Sequence, residues 1–228
     1  MMTEAAVDRR QGIIRMILVP AFISLAVTLL RLTGELKHWS TRWFSPETGG
    51  TDPSGVSWIV GITWLAAPFG VYFAVKLMRA GQGPRSAGKV ALFGILGLVL
   101  IFSSRFLFAA FPGNFPVILI PLWLCWGAAA GLQYFAWPAL FKVLLAYGFS
   151  ARIPVAVVMF FAMLGNWGTH YDYVGMPPQF DMPLLPKYFW LAFFPQLFAW
   201  VGFTIALGTL AGVLAALIVR PKASVHVH

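Results

Sequence analysis

Six stretches of the chain are continuously apolar rather than alternating, and each is bounded by charged or Gly/Pro-rich residues. They run from about Ile13 to Leu36, Val56 to Met78, Val90 to Phe111, Phe115 to Leu145, Ile153 to Trp167 and Tyr188 to Val219. A helix needs roughly 20 such residues to cross a hydrocarbon layer about 30 Å thick, at about 1.5 Å per residue. No period-two alternation marks barrel strands, and only helices and closed barrels satisfy the backbone in lipid. The pattern therefore predicts an all-α integral membrane protein. It forms one transmembrane domain over residues 1–228, a bundle of about six helices. Pro121 and Pro138 interrupt the fourth stretch, and the fifth is short and polar at its far end.

The polar residues between the stretches set the orientation. Arg9, Arg10, Arg15, Lys76, Arg79, Arg85, Lys89, Lys142, Arg152, Arg220 and Lys222 fall on one side, eleven basic residues. Arg31, Lys37, Arg42, Arg105 and Lys187 fall on the other, five basic residues beside five acidic ones, Glu35, Glu47, Asp52, Asp172 and Asp181. The positive-inside rule then places both ends of the chain in the cytoplasm. The first stretch reads as a retained helix. It is longer than a signal-peptide core, and Arg31, Glu35 and Lys37 follow it where a small-residue cleavage site belongs.

Composition agrees with this picture. The chain is 60% hydrophobic and 10% charged, against about 45–50% and 25% in ordinary soluble domains. Its net charge of +9 is explained by topology and anionic lipid, so no nucleic acid is expected as a partner. The lone Cys125 excludes a disulfide framework and a cysteine-cluster metal site. The expected partners are the bilayer, a second membrane subunit or a second copy of the chain, and an anionic or lipophilic small molecule. Gly127 with Gly131, and Gly208 with Gly212, are Gly-x-x-x-Gly pairs that let helices approach closely.

Candidate chemistry collects on the outer side. Arg31 and Glu35 lie four apart, on one helix face, and Arg105 reaches a similar depth in the third stretch. Asn166 and His170 are also four apart, with Asp172 next in G-N-W-G-T-H-Y-D-Y. Ionisable groups within spans are by default functional-site hypotheses. Arg31, Glu35, Arg105, Asn166 and His170 are therefore the candidate ligand-binding residues, with guanidinium groups suited to carboxylate or phosphate oxygens. His170, Asp172 and Glu35 are the candidate acid–base residues, although a spacing of two does not let His170 and Asp172 face each other on a regular helix or strand. A structural ion-pair network among the same residues is the competing reading.

Several reaction classes lack their motifs. There is no HExxH, no G-x-S-x-G, no P-loop, no aspartate-rich repeat and too few histidines for a di-iron desaturase centre. His38 and His170 could meet on one side, but no metal or cofactor is expected. Whether the chain is an enzyme stays open. The leading expectation is a non-catalytic subunit of a membrane complex or a component that binds a lipophilic or anionic ligand. The alternatives are a membrane enzyme acting on an amphipathic substrate at the outer leaflet, and a small transporter or channel lined by Gln133 and Gln196. The six-helix, both-ends-inside plan resembles the substrate-binding subunits of modular vitamin importers, in architecture alone. The expected location is a cell inner (plasma) membrane, crossed several times.

Overall fold

A computed structural model describes residues 4–47, 56–104, 106–110, 115–173 and 181–218. Among these residues every regular element is helical. The helices are α1 (Glu4–Leu36), α2 (Ala66–Arg79), α3 (Ala87–Ser103), α4 (Phe106–Ala110), α5 (Phe115–Ala136), α6 (Pro138–Gly165), α7 (Leu184–Lys187) and α8 (Val201–Ile218). Two π-helical stretches, Tyr188–Phe193 and Pro195–Trp200, join α7 to α8 in one continuous rod. Four segments are long and apolar enough to cross a membrane: Gln11–Leu36, Ile118–Ala136, Pro138–Gly165 and Leu184–Ile218. Their outward faces carry large apolar side chains such as Phe22, Leu124, Phe135 and Leu217, each more than 60% exposed. Such a surface suits lipid.

α8 is the central rod, in contact with α2, α3, α5 and α6. Its small residues make that possible. A Cβ on Gly70 of α2 would lie 2.3 Å from the Gly208 carbonyl oxygen, and one on Gly212 would lie 2.9 Å from Leu140 of α6. The Gly208–Gly212 pair therefore seats α2 and α6 directly against the α8 backbone. The other pair behaves differently. Among the described residues nothing lies within 4 Å of the Cβ positions of Gly127 and Gly131, so this pair makes no close contact with them there.

Three sequence boundaries shift, for physical reasons. The fourth stretch does not continue to Leu145. It breaks at Trp137, and Pro138 takes the first helical position of α6, where its missing amide costs nothing. The Trp137 indole donates to the Gln82 carbonyl at 2.8 Å, which pins this turn to the α2–α3 connection. The fifth stretch likewise begins at Pro138 rather than Ile153, and α6 runs 28 residues straight through Pro154. Ser150 and Arg152 are thus inside a helix, not in a connecting loop. In the second stretch the α-helix starts only at Ala66. The preceding residues form 3-10 turns at Ser57–Val60 and Thr63–Leu65, with extended backbone at Gly61.

α1 packs on α6 through a polar seam. Ser24 Oγ donates to the Pro20 carbonyl at 2.9 Å and meets Tyr147 Oη at 2.8 Å, while Thr28 Oγ1 donates to the Ser24 carbonyl at 2.9 Å. Ser24, Thr28, Arg31 and Glu35 repeat at spacings of four, three and four, which aligns them on one helix face.

The close α2–α8 contact gives a direct test. Gly70→Ala is expected to destabilise the detergent-solubilised protein by about 1–3 kcal/mol, because its methyl group meets backbone. Gly127→Ala is expected to stay within about 0.5 kcal/mol of the parent. Unfolding by heat or by denaturing detergent reads both.

Candidate functional site

Where α1 ends, the 56–65 segment, α6, the turn after α6 and the start of the α8 rod surround a cavity of about 670 Å³. Small-molecule sites commonly span about 300–1,000 Å³. The walls are largely apolar, with Trp58, Trp64, Met159, Trp200, Phe203 and Leu207 among them. Into this lining project Arg31, Arg152, His170, Gln196, Thr63 and Glu47.

The backbone around the cavity is irregular on three sides. One is the pair of 3-10 turns before α2, and the second is the π-helical stretch Pro195–Trp200, where Pro195 offers no amide to the ladder. The third is the short 3-10 turn His170–Asp172. Such backbone is tolerated at membrane depth where protein or a cavity surrounds it, and π turns recur at functional sites. Gly61 has a local reason to be glycine. A Cβ there would sit 3.0 Å from the Trp58 carbonyl oxygen and 3.4 Å from Arg31 Nη1, so its absence lets the guanidinium lie against the chain.

Arg31, Glu35 and His170 form one hydrogen-bonded cluster. Arg31 Nε donates to Glu35 Oε1 at 2.9 Å, and the His170 amide donates to Glu35 Oε2 at 2.9 Å. His170 Nδ1 also lies 2.6 Å from Oε1. With the carboxylate accepting on both oxygens from α1 and from the turn, Nδ1 is the donor of that third bond. The Nε2 atom is then the lone-pair nitrogen, and it has no hydrogen-bond partner among the described residues. Burial holds the His170 imidazole below its ordinary pKa, with the Glu35 bond opposing and the Arg31 charge reinforcing that shift. The ring is therefore neutral at pH 7. Burial likewise raises the phenols of Tyr171 and Tyr173. The Tyr171 hydroxyl donates to the Thr28 carbonyl at 3.1 Å, and that of Tyr173 donates to the Leu191 carbonyl.

Asp172 and Asn166 are occupied elsewhere. Asp172 folds back on its own turn: Oδ1 accepts from the Thr169 amide at 2.6 Å and its hydroxyl at 2.9 Å, and Oδ2 accepts from the Gly168 amide at 2.9 Å. It thus orients the His170 turn without bonding the imidazole, whose partner is Glu35. Asn166 caps α6 in the left-handed conformation, φ 46°, and is exposed outside the cavity lining. His38 is also exposed and outside the lining. Arg105 lies outside the described residues. No group of three metal-ligating side chains occurs among the described residues.

Arg152 is the residue that sequence reasoning misplaced. It sits 14 residues from Pro138 and 13 from Gly165, roughly 20 Å from either end of α6, and is only 5% exposed. Nη1 donates to Gln196 Oε1 at 3.3 Å and Nη2 to Thr63 Oγ1 at 3.2 Å. The guanidinium carbon stands 4.9 Å from the Trp200 ring centre, a cation–π contact. Its partners are all neutral, and among the described residues no carboxylate forms an ion pair with it. Gln133, by contrast, is sealed in helix contacts. Its amide donates to the Phe93 and Ala129 carbonyls at 2.8 and 3.0 Å, and it is buried and not among the residues that line the cavity.

No protein-family model, curated protein or solved structure matches the chain. The chemistry of the site therefore rests on these contacts.

Two outcomes follow from the cluster. Glu35→Ala leaves Arg31 and two His170 donors without their acceptor and is expected to cost about 3–5 kcal/mol, read by unfolding in detergent. The depressed His170 pKa means that the unfolded chain binds the extra proton first as pH falls below about 6.5. Its contribution to stability is present above that value and is lost on acidification. The parent is expected to lose stability between about pH 7.5 and about pH 5.5, and His170→Asn to lose less over the same interval.

Proposed function

We propose that the chain is a multi-pass component of an inner (plasma) membrane that binds an amphipathic anion in the cavity beside α1 and α6. The observation that carries this reading is Arg152. A buried arginine at mid-helix depth retains its charge and its donors, and here it has only neutral partners. Ionisable groups at such depth are costly to keep and mark ligand or ion sites. Guanidinium donors suit carboxylate and phosphate oxygens, and the aromatic and aliphatic walls suit a hydrocarbon tail. Arg31, on the same lining, supplies a second cationic contact, partly offset by Glu35.

In the proposed topology there are six crossings, with both ends of this chain on the cytoplasmic side. The four long segments supply four crossings. The 57–79 segment, with its 3-10 entry, and Ala87–Ser103 supply the other two. With Arg152 counted inside a helix, ten basic residues flank the cytoplasmic side and five the outer side, and the sixteenth is Arg152 itself. The bias keeps its sign. The cavity then opens toward the outer half of the membrane.

Native mass spectrometry and a binding titration on the detergent-solubilised full chain test the reading. The probes are dodecyl phosphate and laurate, with dodecyltrimethylammonium and inorganic phosphate as controls. The two amphipathic anions are expected to bind and the cationic amphiphile is not. Arg152→Gln is expected to weaken them about 10- to 100-fold, the range for a lost charge-assisted hydrogen bond. Tight inorganic phosphate alone would make the ligand a free anion. Binding indifferent to charge, or unchanged in both Arg152→Gln and Arg31→Ala, would overturn the site.

A further inference from the structure

We infer that the cavity also hydrolyses carboxylic esters of such amphiphiles, with His170 as the general base and Arg31 as the donor to the developing oxyanion. The inference rests on the proposed binding of an amphipathic anion and adds a reaction to it.

The geometry is that of an oriented base. Glu35 holds His170 twice, at the backbone amide and at Nδ1, with contacts of 2.9 and 2.6 Å. A carboxylate on Nδ1 fixes the ring orientation and the tautomer, and it stabilises the imidazolium that forms when Nε2 takes a proton. Here the carboxylate comes from α1 and the imidazole from the turn after α6, 135 residues away in the chain. Neither element alone carries a recognisable motif. The Nε2 atom has no protein partner among the described residues, and the ring lines the cavity with 21% of its side chain exposed. A structural histidine in so apolar a setting is normally bonded at both nitrogens.

Arg31 lines the same cavity, and among the described residues only its Nε is committed, to Glu35. Its terminal amino groups remain for an oxygen that gains negative charge. Arg152 holds the substrate's permanent anionic group, and the aromatic wall holds its chain. The charged groups facing His170 are Glu35 and Arg31 from α1 and Asp172 from its own turn, with the phenol of Tyr171 beside them.

The reaction balances without a co-reactant other than water. Nε2 accepts one proton from a water molecule as the water oxygen bonds to the ester carbonyl carbon. The carbonyl π pair moves to its oxygen, which Arg31 stabilises. That pair then re-forms the carbonyl, the bond to the alcohol oxygen breaks, and the imidazolium returns its proton to the leaving alcohol. The products are a fatty carboxylate, one released proton and an alcohol that keeps the anionic group.

The test uses the full chain in nanodiscs, with lysophosphatidylglycerol as the anionic ester and 4-nitrophenyl palmitate as a neutral one. Fatty acid release is followed in water enriched in oxygen-18, so that hydrolysis places one labelled oxygen in the carboxylate. Release is expected, falling on acidification as Nε2 becomes protonated, at a pH lower than that of an ordinary imidazole. His170→Asn keeps a donor toward Glu35 but lacks the base, and is expected to lower the rate about 100-fold or more with lysophosphatidylglycerol binding within about threefold of the parent. Glu35→Gln is expected to lower the rate and shift the pH profile. Arg152→Gln is expected to impair the anionic ester more than the neutral one. No release by the parent chain, or a rate unchanged in His170→Asn, would overturn the reaction. If dodecyl phosphate still binds in an Arg152-dependent way, the binding reading survives that failure; if it does not, both fall.

Discussion

A guanidinium buried near the middle of α6 constrains everything packed against it. Arg152 lies roughly 20 Å from either helix end, too deep in α6 to reach past those ends, and the protein brings polarity to it. Gln196 comes from the π-helical part of the α8 rod, Thr63 from the 3-10 entry to α2, and the Trp200 ring supplies a π face. Each partner sits on backbone that is not regular α-helix. Irregular helix and buried charge are thus two aspects of one arrangement. The turns that deliver the partners leave room between helices, and that room is the cavity.

The neutrality of those partners distinguishes Arg152 from Arg31. A buried ion pair satisfies itself. Arg31 has Glu35 on the same helix face at 2.9 Å, and its charge is largely answered before any ligand arrives. Arg152 has oxygen atoms at 3.2 and 3.3 Å that carry no formal charge, and in the proposed function a ligand anion would supply what the fold does not. The two arginines on one lining therefore differ: Arg31 is paired through Nε in the cluster that fixes His170, and Arg152 is held by neutral partners alone among the described residues.

Much of the fold was legible in the residues and much of the site was not. Continuous apolar runs identify the helices because a hydrocarbon environment leaves little freedom in where they lie. Their limits at Pro138 and Ala66 depend on tertiary contacts, such as the bond from Trp137 to Gln82. The Arg31–Glu35 pair is visible because both residues share a helix face. Its tie to His170 is not, since 135 residues separate His170 from Glu35. Asp172 draws attention by adjacency, yet a three-residue turn folds it onto Thr169 and Gly168. Arg152 was hidden for another reason. Beside Ser150 and Pro154 it reads as a basic loop, and only the continuity of α6 reveals that it is inside the bundle. The spacing Ser24, Thr28, Arg31, Glu35 was present in the sequence all along, and a search for polar residues on one face of an apolar helix would have found it.

That polar seam also explains how α1 can be fixed in place with so much of its surface turned outward. Lipid removes the hydrophobic advantage of burying leucine against leucine, so packing and hydrogen bonds must position a peripheral helix. α1 is attached at three levels: Ser24 to Tyr147, Thr28 to Tyr171, and Glu35 to His170. The first contact is with α6 and the others are with the turn that follows it. The helix that closes the cavity is therefore fastened to the same element that carries Arg152. The contacts that hold α1 also fix the imidazole at its end relative to the helix that carries Arg152.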